Sequence, residues 1–178
     1  MSQQVIINVG VSGSGKSTWT TEYIKKTPNT VRINRDDIRK MLFGTLENYY
    51  TRKDLSWREK AVTEVEEFLF VHALGKKQNI IVDNTNLKTA YINKWIDFVS
   101  GWNKNVLPGE KPIEVKFAIF SQRDVDTLIA RVERRDNLYL SEKDNYIHKQ
   151  YDSFWKIQDW ILNNYPNDVI FHEIKNGS

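Results

Sequence analysis

Residues near the start of the chain have the types and spacing to hold a polyphosphate: Gly10-Val11-Ser12-Gly13-Ser14-Gly15-Lys16-Ser17-Thr18 fits G-x-x-x-x-G-K-[ST]. Glycines 10, 13 and 15 let backbone N–H groups curl around phosphate oxygens. A helix starting there adds the partial positive charge and unpaired donors of its N-terminus. In that geometry Ser12, Ser14 and Thr18 help line the cradle, Lys16 reaches the β- and γ-phosphates, and Ser17 offers its hydroxyl to Mg2+. The bland alternative is a flexible Gly/Ser turn. The apolar run before the motif and the helical pattern after it argue against that. The motif specifies a site for ATP or another NTP and leaves the reaction open.

Two carboxylates and a basic stripe could supply that reaction. Asp36, in Ile33-Asn34-Arg35-Asp36-Asp37-Ile38-Arg39, stands where a strand gives way to a helix. It can cap the helix, or accept a proton from a hydroxyl attacking the γ-phosphorus. Arg39, three residues on, shares its helix face and could grip a phosphate bidentately. Asp83 ends Ile80-Ile81-Val82-Asp83, which has the form of a Walker B strand: an acid delivered beside the phosphate loop to hold Mg2+ directly or through water. Its bland reading is a turn-forming Asp-Asn. Arg131, Arg134 and Arg135 form either a solvated helix face or the inner side of a lid, where an arginine offsets charge developing on the γ-phosphoryl group. Arg131 and Arg135 are one turn apart and can both reach inward. A GTPase is disfavoured: Asn93-Lys94-Trp95-Ile96-Asp97 misses the guanine motif by one residue and lies within an amphipathic helix.

These groups need a scaffold that gathers strand ends. Short apolar runs predict strands over residues 5–9, 30–33, 79–82, 113–120 and 169–174, the last at an edge. Helical spacing predicts helices over 16–26, stopped by Pro28, and over 37–43, 124–135 and 142–163. Ile92, Trp95, Ile96 and Val99 mark another helix. Ser56-Trp57-Arg58-Glu59 has the capping-box form and opens a long helix through Leu74, with Val62, Val65, Phe68, Leu69 and His72 at core spacing. Strands separated by helices imply a parallel sheet covered on both faces, with ligands at the carboxyl ends of its strands. Every chemical candidate above falls just after a strand.

Composition bounds the rest. The length, 178 residues, suits one domain over 1–178, and no repeat or linker interrupts the series. Without cysteine there is no disulfide or thiol chemistry. His72, His148 and His172 lie too far apart to suggest zinc. Lys plus Arg is 26 against 23 Asp plus Glu, a net +3 that permits an anionic partner without demanding one. No apolar run is long enough for export or a membrane span, so the expected location is cytoplasmic, with no membrane partner.

The run Asn8-Val9-Gly10 through Thr18-Trp19, then Ile33-Asn34-Arg35-Asp36-Asp37-x-Arg39, then Asp83-Asn84-Thr85-Asn86-Leu87, resembles the kinase domain of the bacteriophage-type polynucleotide 5′-hydroxyl kinases. The resemblance covers about residues 4 to 135, in order. It implies an α/β fold: a P-loop kinase three-layer sandwich with a mostly parallel central sheet and a helical lid over about 124–140. It also implies ATP and Mg2+ as cofactors and nucleic acid 5′-hydroxyl ends as partners. It places the general base on Asp36, the acceptor-phosphate contact on Arg39, and the catalytic lid arginine on Arg135, with Arg131 as second choice. Thr85 and Asn86 would orient phosphates or acceptor groups. Some members carry the metal acid where this chain has Asn84, and here that role would move to Asp83.

Arg32, Arg35, Arg39, Lys40, Arg52, Lys53, Arg58 and Lys60, interleaved with Tyr49, Tyr50 and Trp57, read as a groove tracking a strand's backbone and bases. Trp57 can instead be core, and Arg58 and Lys60 solvated helix. Asp124-Val125-Asp126-Thr127-Leu128 misplaces the threonine of the phosphatase motif that such kinases often carry, so no phosphatase activity is expected. Two rival readings stand: a kinase of a nucleoside or other small hydroxylated metabolite, and a module that binds ATP without using it. A mere binder has no need of Asp36 with Arg39.

Overall fold

The computed structural model describes residues 2–46, 54–121, 124–136 and 146–173, the side chains of 172 and 173 excepted. Five strands form one sheet: β1 (Gln4–Val9), β2 (Thr30–Ile33), β3 (Asn79–Val82), β4 (Glu114–Ser121) and β5 (Val169–Glu173). Their order is β2-β3-β1-β4-β5 and every pairing is parallel, so the expected mostly parallel sheet is wholly so. Six helices lie among the described residues: α1 (Lys16–Lys26), α2 (Arg35–Phe43), α3 (Leu55–Gly75), α4 (Thr89–Asn103), α5 (Val125–Asp136) and α6 (Tyr146–Asn164). This is the P-loop kinase architecture. None of these helices is long and apolar enough to cross a membrane.

The pleat divides the strands between two clusters. Val5, Ile7, Val9, Ile80, Val82, Phe117 and Ile119 pack with Val62 and Phe70 of α3, Ile92, Trp95 and Val99 of α4, and Phe154, Ile157 and Ile161 of α6. The Phe70 and Trp95 rings sit 4.6 Å apart. On the other side Ile6, Ile81, Ala118 and Phe120 lie under Trp19, Tyr23 and Ile24 of α1. Each fully buried side chain of this size contributes about 1.5–3 kcal/mol.

Two elements depart from expectation. α2 begins at Arg35, two residues early, because the Asn34 side chain accepts from the Asp37 N–H and caps the helix. That puts Asp36 in the first turn. α3 starts at Leu55 after Asp54, so the expected capping box does not form, and the Glu59 carboxylate goes elsewhere. Its buried residues are Arg58, Val62, Glu66, Phe70, Ala73 and Leu74. Phe68, Leu69 and His72, expected inward, face solvent, with Phe68 at 67% exposure. The helix is rotated toward burying Glu66, and the site explains why.

Candidate active site

The cradle is built from contiguous backbone. Gly13 and Gly15 take φ of 81° and 89°, a region that L side chains enter at a cost. Gly15 is the N-cap of α1 and no side chain caps that end, which leaves its first-turn N–H groups to a ligand. Lys16 is buried and folds over the loop, donating to Gly10 O (2.9 Å) and Val11 O (2.8 Å), with Ser14 Oγ at 3.4 Å. Its pKa is lowered to about 8, chiefly by burial; the Asp83 carboxylate opposes this, Arg135 adds to it and Asp36 opposes. Ser17 and Thr18 are exposed at the helix start. The Ser12 N–H is engaged from α6, donating to Gln150 Oε1 at 2.9 Å.

The ends of β1, β2 and β3 are tied around Asp83, which is buried. One carboxylate oxygen accepts from Asn8 Nδ2 (2.9 Å), whose amide also reaches Thr20 Oγ1 (2.8 Å). The other accepts from Arg32 Nε at 2.6 Å. Arg32 also pairs with Asp37 and lies 3.4 Å from Ser17 Oγ. Ser17 Oγ and Asp83 Oδ2 thus meet one cation. A hydroxyl and a carboxylate are hard oxygen donors that suit Mg2+, which ordinarily takes one or two carboxylates plus substrate phosphates. Asn84 turns the other way: it accepts from the Arg35 N–H (2.9 Å) and donates to Glu66 Oε1 (2.8 Å). Between the two candidates for the metal, Asp83 is the one on the loop's side.

Asp36 sits on a ledge where α2 rests on α3. Its carboxylate is half exposed and accepts from Arg39 NH1 at 2.6 Å. Arg39 is held from behind by Glu59 at 2.9 Å. Arg35 bonds Glu59 (2.7 Å), Glu66 (2.8 Å) and Thr63 Oγ1 (3.1 Å). Glu66 is 1% exposed and also accepts from Lys94 at 2.9 Å. Glu59, Thr63 and Glu66 fall one turn apart, on one face of α3. Sequence reasoning missed them. The usable signal was a second, polar stripe at helical spacing beside the apolar one, with Arg35 and Arg39 needing partners.

α5 forms the far wall. Its Leu128 carbonyl would stand 3.0 Å, and Val132 Cγ2 3.2 Å, from a Cβ added at Gly13; Arg131 Cβ would stand at 3.6 Å. Arg135 makes a bidentate pair with Asp136, both bonds 2.7 Å, which raises its pKa; Asp36 adds to that rise. Tyr146, at the start of α6, has its phenol pKa pushed up by burial, with Asp136 and Asp36 adding and Arg135 and Ser12 opposing. Lys16, Asp36 and Arg135 therefore lie near enough for their charges to interact. The rest of the lid expected over 124–140 lies outside the described residues.

Two expectations need correcting. Asn86 does not face the cleft: it is buried, and its amide donates to Asn8 O at 2.8 Å, locking β1 to the turn after β3. Thr85 stays partly exposed, its carbonyl accepting from the Gly10 N–H at 3.1 Å. The basic stretch is also less free than its composition suggests. Arg32, Arg35 and Arg39 are paired as above, Arg58 pairs with Asp54 (3.2 Å) beneath Phe43, and Lys60 lies 3.9 Å from Glu64. Trp57 is 55% exposed and so is not core. Tyr49, Tyr50, Arg52 and Lys53 lie outside the described residues.

Comparison with known proteins agrees with this fold. The AAA domain family matches residues 5–137. A protein of Autographa californica nuclear polyhedrosis virus, provisionally named a bifunctional polynucleotide kinase/RNA ligase, is 30% identical over 168 residues, spanning 89% of this chain and 22% of the relative. A chain of the Pnkp1/Rnl/Hen1 RNA repair complex superposes with a TM-score of 0.66 at 25% identity, over 89% of this chain and 46% of that one. A gluconokinase from Sinorhizobium meliloti superposes at 0.52 and 18% identity, over 98% and 84%, and shares the fold alone. The chain thus spans less than half the length of the viral relative and of the repair-complex chain.

Proposed function

The chain belongs to the AAA domain family, and from that premise we propose that it is a P-loop kinase domain of the polynucleotide-kinase type that moves the γ-phosphoryl group of ATP to the 5′-hydroxyl end of DNA or RNA, a nucleic-acid repair reaction. One observation carries this reading: the neighbouring parallel strands β2, β3 and β1 bring the half-exposed Asp36 held by Arg39, the buried Asp83 and the phosphate loop to the same end of the sheet. The names of the viral relative and of the repair complex support the nucleic acid as acceptor.

The proposed chemistry uses each wall of the cleft once. The loop over 10–18 and the start of α1 hold the donor phosphates. Asp36 accepts the hydroxyl proton as the acceptor oxygen bonds to the γ-phosphorus and the β–γ bridging bond breaks. Arg39, fixed between Asp36 and Glu59, orients that carboxylate and meets the acceptor phosphate. Thr85 borders the same opening. Lys16 and Arg135, with Arg131 as second choice, offset charge on the transferring group. Mg2+, held by Ser17 and Asp83, would neutralise the β- and γ-oxygens.

A second reading, a kinase of a nucleoside or other small hydroxylated metabolite, is favoured by the internal pairing of Arg32, Arg35, Arg39 and Arg58, which leaves less free charge for a long strand. Label transfer from γ-labelled ATP separates the two. We expect transfer to a 5′-hydroxyl oligonucleotide well above that to free nucleosides, with acceptor binding weakened by salt. Transfer to nucleosides alone would favour the second reading, and ADP release without any acceptor would favour neither.

A further inference from the structure

Arg32 was counted with the acceptor groove, yet its side chain points to the metal's place. It lies on β2 in register with Ile81, and therefore on the α1 side of the sheet. From there its guanidinium touches Asp83 Oδ2 (2.6 Å), Ser17 Oγ (3.4 Å) and the Asp37 carboxylate. Asp83 has no solvent exposure, and its other oxygen is taken by Asn8, so the guanidinium supplies the positive charge that a buried carboxylate requires. Ser17 Oγ and Asp83 Oδ2 are the same two atoms that fit Mg2+ by donor chemistry. A guanidinium 2.6 Å from Asp83 Oδ2 and 3.4 Å from Ser17 Oγ fills the space between those two oxygens, and a divalent ion placed there would be repelled by its like charge, so the two compete for the position.

We propose that Arg32 and the divalent cation are alternative occupants of one position, so that Arg32 sets how strongly nucleotide binding depends on metal. Asp37 is the second half of the device. Its side chain is 54% exposed and is bonded through Arg32 NH1, a different nitrogen from the Nε that meets Asp83, so it retains the guanidinium when Asp83 is given up. The inference rests on the nucleotide site within the reading above and not on the identity of the acceptor.

The test measures ATP affinity at equilibrium with no acceptor present, once in EDTA and once in saturating Mg2+. The ratio of the two affinities is the metal linkage. Removing the resident cation leaves Asp83 dependent on the ion, so Arg32→Gln should raise the ratio by about tenfold or more, the worth of a charge-assisted hydrogen bond. Asp37→Asn removes the alternative partner, ties Arg32 to Asp83, and should lower the ratio below wild type. Mn2+ alone, followed by its paramagnetic resonance, should bind Arg32→Gln more tightly than wild type. Arg32→Lys, which keeps the charge, should fall between wild type and Arg32→Gln, and serves if the glutamine variant is unstable. An unchanged ratio in Arg32→Gln or Arg32→Lys, or a shift of the same sign in the Arg32 and Asp37 variants, would overturn the proposal. Failure to label oligonucleotides would sink the polynucleotide reading and leave these binding ratios untouched.

Discussion

The phosphate cradle and the α2–α3 ledge face each other across the cleft, and they are built in opposite ways. The cradle is backbone. Its donors come from consecutive residues, its shape from two left-handed glycines, and its single long side chain folds over its own loop. The ledge is side chain. Asp36 is placed by Arg39, Arg39 by Glu59, and Arg35 by Glu59 and Glu66, from the neighbouring helix α3. A site made of local backbone is portable and announces itself as a motif. A site made of cross-helix charge pairs is particular to its packing, and under the proposed function it is the part that would tell one acceptor from another.

Substitutions can break or sharpen that contrast. The largest expected effect is on the ledge's chemistry. Asp36→Asn should cut single-turnover transfer by roughly 10²–10⁴, the usual reach of general-base catalysis, while equilibrium ATP binding holds. Unaltered transfer would make the ledge a mere support. Next is its architecture: Glu66→Ala leaves Arg35 and Lys94 facing an empty buried place and should lower unfolding free energy by about 3–5 kcal/mol in urea titrations. A loss below about 1 kcal/mol would mean that apolar packing, not charge pairing, seats α2 on α3.

On the cradle side, Gly13→Ala should cost about 1–3 kcal/mol, because φ is positive and the new Cβ meets the Leu128 carbonyl at 3.0 Å. Gly44→Ala is the matched comparison: φ is +88° with nothing within 4 Å, so only the backbone term remains. Equal losses in the two would show that α5 yields freely. The smallest effect is a proton. Free Lys16 has its pKa lowered to about 8, and bound phosphates favour its charged form. Near pH 8, nucleotide binding should therefore take up a fraction of a proton, and affinity should fall as pH rises through that value. Calorimetry in buffers of different ionisation enthalpy reads the uptake directly, and zero uptake would place the cradle's titration elsewhere.

The same contrast decides what could be read in advance. β1 and β3 carry the runs Val5-Ile6-Ile7 and Ile80-Ile81-Val82 because parallel strands inside the sheet are buried on both sides, and α1 starts where its motif requires; both are local patterns. α4 was equally plain, since Ile92, Trp95 and Val99 have no polar competitor on their face. α3 misled because apolar residues occur around most of its circumference, so Phe68 and Leu69 kept the period while Glu66 took the buried place. The Ser56–Glu59 capping pattern misled for a related reason: Arg35 and Arg39 offer Glu59 a stronger partner than a backbone N–H. Asn86 carried the chemistry of an acceptor contact and the geometry of a lock. Only the fold distinguishes those.

Gly13 touches α5, and Ser12 is bonded to α6. The floor of the phosphate pocket and the inside of its cover are therefore one continuous surface. Under the proposed reaction, a swing of α5 away from Gly13 would disturb the loop that holds the donor phosphates, so opening and letting go would become a single movement. Discharge of spent ADP would then be geared to the cover's travel, and turnover would inherit the stiffness of that joint.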